Sequence, residues 1–113
     1  NFQGTLPKDL NSFSLLEDMD VSGNDISGTV PSSIIRKLVE LYLGWNSLTS
    51  VLPAAIGELR QLKNLGIEGN RFQATLPDAF CRMSSLVIVQ MGGNGFRGCV
   101  PTSLTMLRSL ATL

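Results

Sequence analysis

A solenoid of about four and a half short α/β repeats is the fold predicted over residues 1–113, with a parallel sheet along its concave side and short 3₁₀ or helical turns along its convex side. Three observations carry it. All five prolines, Pro7, Pro31, Pro53, Pro77 and Pro101, stand in one phase at intervals of 24, 22, 24 and 24. An asparagine series, Asn24, Asn46, Asn70 and Asn94, runs at 22, 24 and 24. Before each asparagine comes an LxxLxL-type run: Leu16, Met19, Val21; Leu38, Leu41, Leu43; Leu62, Leu65, Ile67; Leu86, Val89, Met91. No such unit buries its apolar face alone; stacking makes the core.

Each column of the repeat has a physical task. The alternating apolar pair of each run points inward from a short strand, because strand side chains alternate between faces. The asparagine follows where the chain leaves the strand, and its amide can satisfy backbone groups that the turn leaves unpaired. Two residues later Phe2, Ile26, Leu48, Phe72 and Phe96 refill the core. Two further on, Gly4, Gly28, Ser50, Ala74 and Gly98 are all small, as a tight bend requires. Leu6, Val30, Leu52, Leu76 and Val100 then point inward from an extended residue, since the following proline disfavours helix there. Leu10, Ile34, Ile56, Phe80 and Leu104 open the convex turn, and Phe13, Leu59, Met83 and Leu107 follow. The second repeat is two residues short between Ser32 and Lys37, so Ile35 is expected to fill the missing column. Neither end reads as a polar cap, so residues 1–113 are expected to be a piece of a longer array, stopping at Leu110 and Leu113 inside a fifth copy.

Composition narrows the function. Apolar residues make up 43% of the chain, enough for a core, and no run approaches the ~18 residues of a membrane span. Nine basic residues balance nine acidic ones, which points to neither nucleic acid nor membrane insertion. Histidine is absent, which removes the usual general base and the commonest metal ligand. The expectation is a binding surface with no enzymatic activity, metal or cofactor. Cys81 and Cys99 are too few for a disulfide scaffold; two free thiols are expected, or a bond from Cys99 to a cysteine beyond Leu113.

The unit N-x-Φ-x-G-x-Φ-P-x-x-Φ-x-x-Φ-x-x-L-x-x-L-x-L-x-x, with Φ apolar, resembles the plant-specific class of leucine-rich repeats. That class includes plant receptor-like proteins and kinases, polygalacturonase-inhibiting proteins and trypanosomatid surface antigens. The segments reading GTLP and GCVP, with Met83 before Ser84-Ser85-Leu86, side with the antigens. Leu, Ile, Ile, Phe and Leu in the column three residues after proline, where those antigens commonly carry Trp, side against them. Either lineage implies an extracellular or cell-surface place.

In such a fold, recognition lies on residues between the buried ones. The outward strand positions supply the candidate ligand-binding residues Asp18, Asp20, Glu40, Tyr42, Trp45, Asn64, Glu68 and Gln90. Six acids, Glu17, Asp18, Asp20, Asp25, Glu40 and Glu68, belong to the strands or their exit edge, against Lys63 and Arg71. The neutral total therefore hides a polarised molecule. Tyr42 and Trp45 are the only Tyr and Trp of the chain and share one repeat. Trp45 stands in a column of glycines, Gly23 and Gly69, with room for its ring to lie across either; it serves as an anchor or as a cover for bare backbone. Gly92-Gly93-Asn94-Gly95 is not a phosphate loop, because no lysine or helix start follows at the required spacing. Asp18 and Asp20 lack the surrounding ligands or pocket of a metal or hydrolytic site.

The expected function is a recognition module holding a protein, peptide or glycan on the concave face. The alternatives are an inhibitor of a secreted enzyme, of the polygalacturonase-inhibitor type, and a structural or adhesion surface antigen. End-to-end self-association through uncapped apolar ends is also expected.

Overall fold

The computed structural model describes residues 2–10, 13, 15–33, 35–74 and 78–96. Its strands are β1 (Gln3–Thr5), β2 (Asp18–Asp20), β3 (Asp25–Gly28), β4 (Glu40–Tyr42), β5 (Ser47–Ser50), β6 (Asn64–Gly66), β7 (Arg71–Ala74), β8 (Ile88–Gln90) and β9 (Gly95–Phe96). Two 3₁₀ turns, Ala54–Glu58 and Asp78–Arg82, lie between them. The even-numbered strands form one parallel sheet in the order β2-β4-β6-β8, and the odd-numbered strands a second, β1-β3-β5-β7-β9.

The first sheet is the predicted concave one, and it pairs column on column. Asp18 faces Glu40, which faces Asn64, which faces Ile88; Asp20, Tyr42, Gly66 and Gln90 make the adjacent row. Its inward column, Leu41, Leu65 and Val89, is buried. The second sheet was not foreseen. It follows each ladder asparagine, and its pairing is displaced by two residues against the repeat columns: Gln3 faces Asp25, Ser27 faces Ser47, Thr49 faces Arg71 and Gln73 faces Gly95. Its sequence signal is faint because each strand has only one or two apolar residues to show alternation. At its end the bend demands a left-handed backbone, with φ of 103° at Gly4, 84° at Gly28 and 71° at Ser50. The small column is thus explained.

Among the described residues the convex side has 3₁₀ segments at Ala54–Glu58 and Asp78–Arg82, plain turns in the shortened second repeat, and no α-helix. Three repeats close this side through the same pair of three-residue hydrogen bonds. Leu59 N–H donates to Ile56 and Leu62 N–H to Leu59; Met83 donates to Phe80 and Leu86 to Met83; Phe13 donates to Leu10 and Leu16 to Phe13. Leu38 N–H donates to Ile35 in the same way, and Ile35 is 1% exposed. Ile35 does take the missing column, so the deletion is absorbed before the strand begins.

The core fills toward the middle of the stack. Leu48, Leu59, Leu62, Phe72, Phe80 and Met83 are fully buried, and Phe72 stacks on Phe96 with ring centroids 6.0 Å apart. Phe2, Phe13 and Leu16, expected in the core, are 73%, 52% and 38% exposed. They stand on the first edge of the described stack, where no described repeat covers them. Leu76, Val100, Leu104 and Leu107, the rest of the fifth copy, Ile34, and the partner of either cysteine lie outside the described residues or side chains.

The asparagine column does more than close its own turn. The Asn70 amide donates to Ile67 and Glu68 in its own repeat and, at 3.0 Å, to Leu43 of the one before; its Oδ1 accepts from Leu48 N–H. Asn46 and Asn94 repeat the pattern, reaching back to Val21 and Ile26, and to Ile67 and Phe72. Asn24 accepts from Phe2 N–H. Asn46 and Asn70 are buried, at 8% and 6% exposure, so these bonds are sheltered from water. They form a polar spine that ties each repeat to its predecessor.

Candidate recognition face

The eight candidate residues fall on four adjacent strands or their exits, and the parallel register makes them one continuous surface. The ladder continues past the strand ends. Trp45 N–H donates to Glu68 O at 2.7 Å, Gly23 N–H to Gly44 O and Gly69 N–H to Gly92 O. Gly23, Trp45, Gly69 and Gly93 are therefore a further hydrogen-bonded row of the same face.

That row is left-handed throughout. Its glycines have φ of 65–69°, which costs glycine little, but Trp45 has φ of 56°. A bulky residue there carries strain of about 1–3 kcal/mol. The ring leans forward onto Gly69, where any side chain would collide with it, yet Trp45 remains 64% exposed. One face of the ring packs on glycine backbone and the other is open to solvent.

Two more large side chains lie on glycines. The Tyr42 ring leans over Gly66, whose added methyl would meet Tyr42 Cδ1 at 3.0 Å. Glu68 folds back across Gly44, and the same methyl on Gly66 would meet its Oε2 at 3.2 Å. Both Gly44 and Gly66 are buried beneath them. Glu68 Oε2 is shut from solvent and has no hydrogen-bond partner among the described residues.

The remaining candidates divide. Asn64 donates to Glu40 Oε1 at 3.1 Å, a cross-strand pair. Asp20 accepts from the Ser22 hydroxyl at 2.6 Å and the Ser22 amide at 3.0 Å. Those two bonds, the hydroxyl first, hold its carboxyl below the ordinary carboxylate pKa. Asp18 and Gln90 are exposed, and Gln90 Oε1 borders the Gly66 notch. No group of three or more potential metal ligands occurs among the described residues. No helix among them is long and apolar enough to cross a membrane. The Trp45 ring takes the expected place across Gly69, whereas Gly44 and Gly66, beneath Glu68 and Tyr42, were missed by the sequence reading. Their signal was present: Gly44 and Gly66 interrupt the outward columns just where large neighbours stand.

An apolar hollow of about 340 Å³ lies elsewhere, at the stack edge among Phe2, Leu6, Leu10, Phe13, Leu16 and Met19. It is the uncovered core of the first repeat.

A parallel solenoid with an asparagine spine and an open, side-chain-bearing concave sheet defines a repeat protein of the recognition type. The Leucine Rich Repeat family model matches residues 15–36, 37–59 and 61–83, more than half of the chain. The chain belongs to the leucine-rich-repeat family. It is 37% identical over 62 residues to Protein STRUBBELIG-RECEPTOR FAMILY 1 of Arabidopsis thaliana, covering 55% of this chain and 8% of that protein. Its structure is similar to the Arabidopsis receptor kinase HAESA, solved in complex with the peptide hormone IDA and the co-receptor SERK1: TM-score 0.94, 30% identity, 99% of this chain and 19% of that one. It is also similar to the plant peptide hormone receptor RGFR1 in complex with RGF2: TM-score 0.95, 26% identity, 98% of this chain and 18% of that one. The chain thus spans less than a tenth of the curated relative and about a fifth of each receptor structure.

Proposed function

We propose that this chain is the recognition segment of an extracellular or cell-surface receptor, holding a peptide or protein partner against its concave sheet. The observation that carries the reading is Trp45: a large aromatic, 64% exposed, kept in a strained left-handed position where the rest of its row is glycine. Backbone strain clusters at ligand clamps and switch regions, and an exposed aromatic is the residue type that anchors a partner, so the two together support a binding role. The acids on the same face, Asp18, Asp20 and Glu40, add long-range attraction for a basic partner. Two of the similar structures are peptide-hormone complexes, which supports a peptide as the partner class.

Peptides selected from a displayed random library against the chain provide the test. Trp45→Ala and Tyr42→Ala should each weaken the selected peptides by about 2 kcal/mol, mostly through faster dissociation. Arg36→Ala and Arg82→Ala, on the convex side, should leave affinity within a factor of two or so. The reverse pattern would move the site off the concave face.

A further inference from the structure

We propose that the ligand presents an arginine side chain, received in a socket made by Tyr42, Trp45 and Glu68. This deepens the concave-face reading and rests on it.

The geometry begins with the three glycines. Glu68 lies on Gly44, Tyr42 on Gly66 and Trp45 on Gly69, so each large side chain is folded down onto bare backbone. Together they occupy neighbouring positions of two adjacent repeats, β4 and β6 with their exits. In this state Glu68 Oε2 is buried without a donor, a desolvated acceptor that gains nothing in return. The Trp45 backbone is strained in the same place.

A partner that supplies donors to Glu68 and a flat surface to Trp45 relieves the first defect and uses the second. The guanidinium group does both. It is planar, stacks on indole, and offers paired N–H donors that match a carboxylate. An ammonium offers a point charge without the fork, and an acidic or neutral group offers Glu68 less still. Charge complementarity agrees, because Asp20 pairs with Tyr42 across β2 and β4, and Asp18 and Glu40 form the next row of the same face. The nearest bases, Lys63 and Arg71, are exposed and stand outside the outward rows. In the bound state Glu68 lifts from Gly44 and Gly66 toward the guanidinium lying against the open face of Trp45.

The same library selection tests this through a different readout. Selected peptides should share an arginine at one position. Replacing it by citrulline, which keeps the shape and removes the charge, should weaken binding about 30-fold. Glu68→Gln should weaken the arginine peptide about as much and the citrulline peptide by less than about threefold, the signature of a direct pair. Trp45, the only Trp of the chain, reports the titrations of the unaltered chain and of Glu68→Gln by its emission, and a fluorescent label on the peptide reports that of Trp45→Ala. The citrulline arm needs no protein variant, so a folding defect in Glu68→Gln cannot obscure the outcome. Peptides that depend on Tyr42 and Trp45 but bind equally well as citrulline forms overturn the socket and leave the concave face standing. Peptides indifferent to Tyr42→Ala and Trp45→Ala, or a library that yields no binder, overturn both.

Discussion

Trp45 separates two quantities that a single alanine variant confounds. Alanine at this position keeps the unfavourable left-handed backbone and loses the ring's contact with Gly69; glycine loses the ring and removes the strain. Trp45→Gly should therefore be more stable than Trp45→Ala by about 1–2 kcal/mol. Thermal melting resolves that difference, since ~1 kcal/mol moves a domain of this size by roughly 4–8 °C. Equal midpoints would mean that residue 45 is not left-handed in solution. Asp20 allows a second test at this scale. Its folded pKa is depressed, so whatever stability it contributes is present above the ordinary carboxylate range and fades as pH falls through the folded value. Ser22→Ala removes the larger of the two causes and should raise the Asp20 titration midpoint, read by carboxyl NMR. Of this detail the sequence showed which side chains share the face. Room for Trp45 over Gly69 was legible there, but the folding of Tyr42 onto Gly66 and Glu68 onto Gly44 was not, because rotamer choice depends on neighbours a full repeat away.

At the level of the element, the repeat columns carried nearly everything. Proline phase, the asparagine series and the LxxLxL-type runs located the concave strands, and even Ile35 could be assigned to a column from spacing. What spacing could not show was the second sheet, whose strands pair two residues out of step with the columns. Nor could it show that the asparagines bridge repeats, since a turn-closing amide and a bridging one look the same in a sequence. Two substitutions rank these contributions. Leu65→Ala removes a fully enclosed side chain from β6 and should cost ~2–5 kcal/mol on chemical denaturation. Asn70→Ala leaves the buried Leu48 amide without its acceptor and takes one of two asparagine donors from each of the Leu43 and Ile67 carbonyls, and should cost about 1–3 kcal/mol. A loss below about half a kcal/mol for either would be that of an ordinary surface position.

At the scale of the whole molecule, the edge bearing Phe2, Phe13, Leu15 and Leu16 gathers most of the exposed large apolar side chains among the described residues. Their exposures are 73%, 52%, 78% and 38%. Apolar surface concentrated in this way seeks a cover, so the isolated chain should self-associate as its concentration rises. Light scattering at high micromolar concentration should show particles heavier than one chain, and a monodisperse monomer would count against the expectation. Polar substitution of Leu15 and Phe13 should reverse the association without lowering the melting temperature, because neither side chain is enclosed.

The asparagine spine gives the array a direction. Asn46, Asn70 and Asn94 each reach back to the repeat before, and each repeat's own inner carbonyl and amide are completed by the repeat after. A solenoid built this way has a head and a tail that differ chemically wherever it is cut. One end offers an asparagine with donors to spare; the other offers backbone groups awaiting one. Two such ends complement each other and neither complements itself. Association through them is heterologous, so it cannot close into a two-fold dimer. It either bends into a ring or runs on as a filament, and electron microscopy of concentrated samples would tell the two apart.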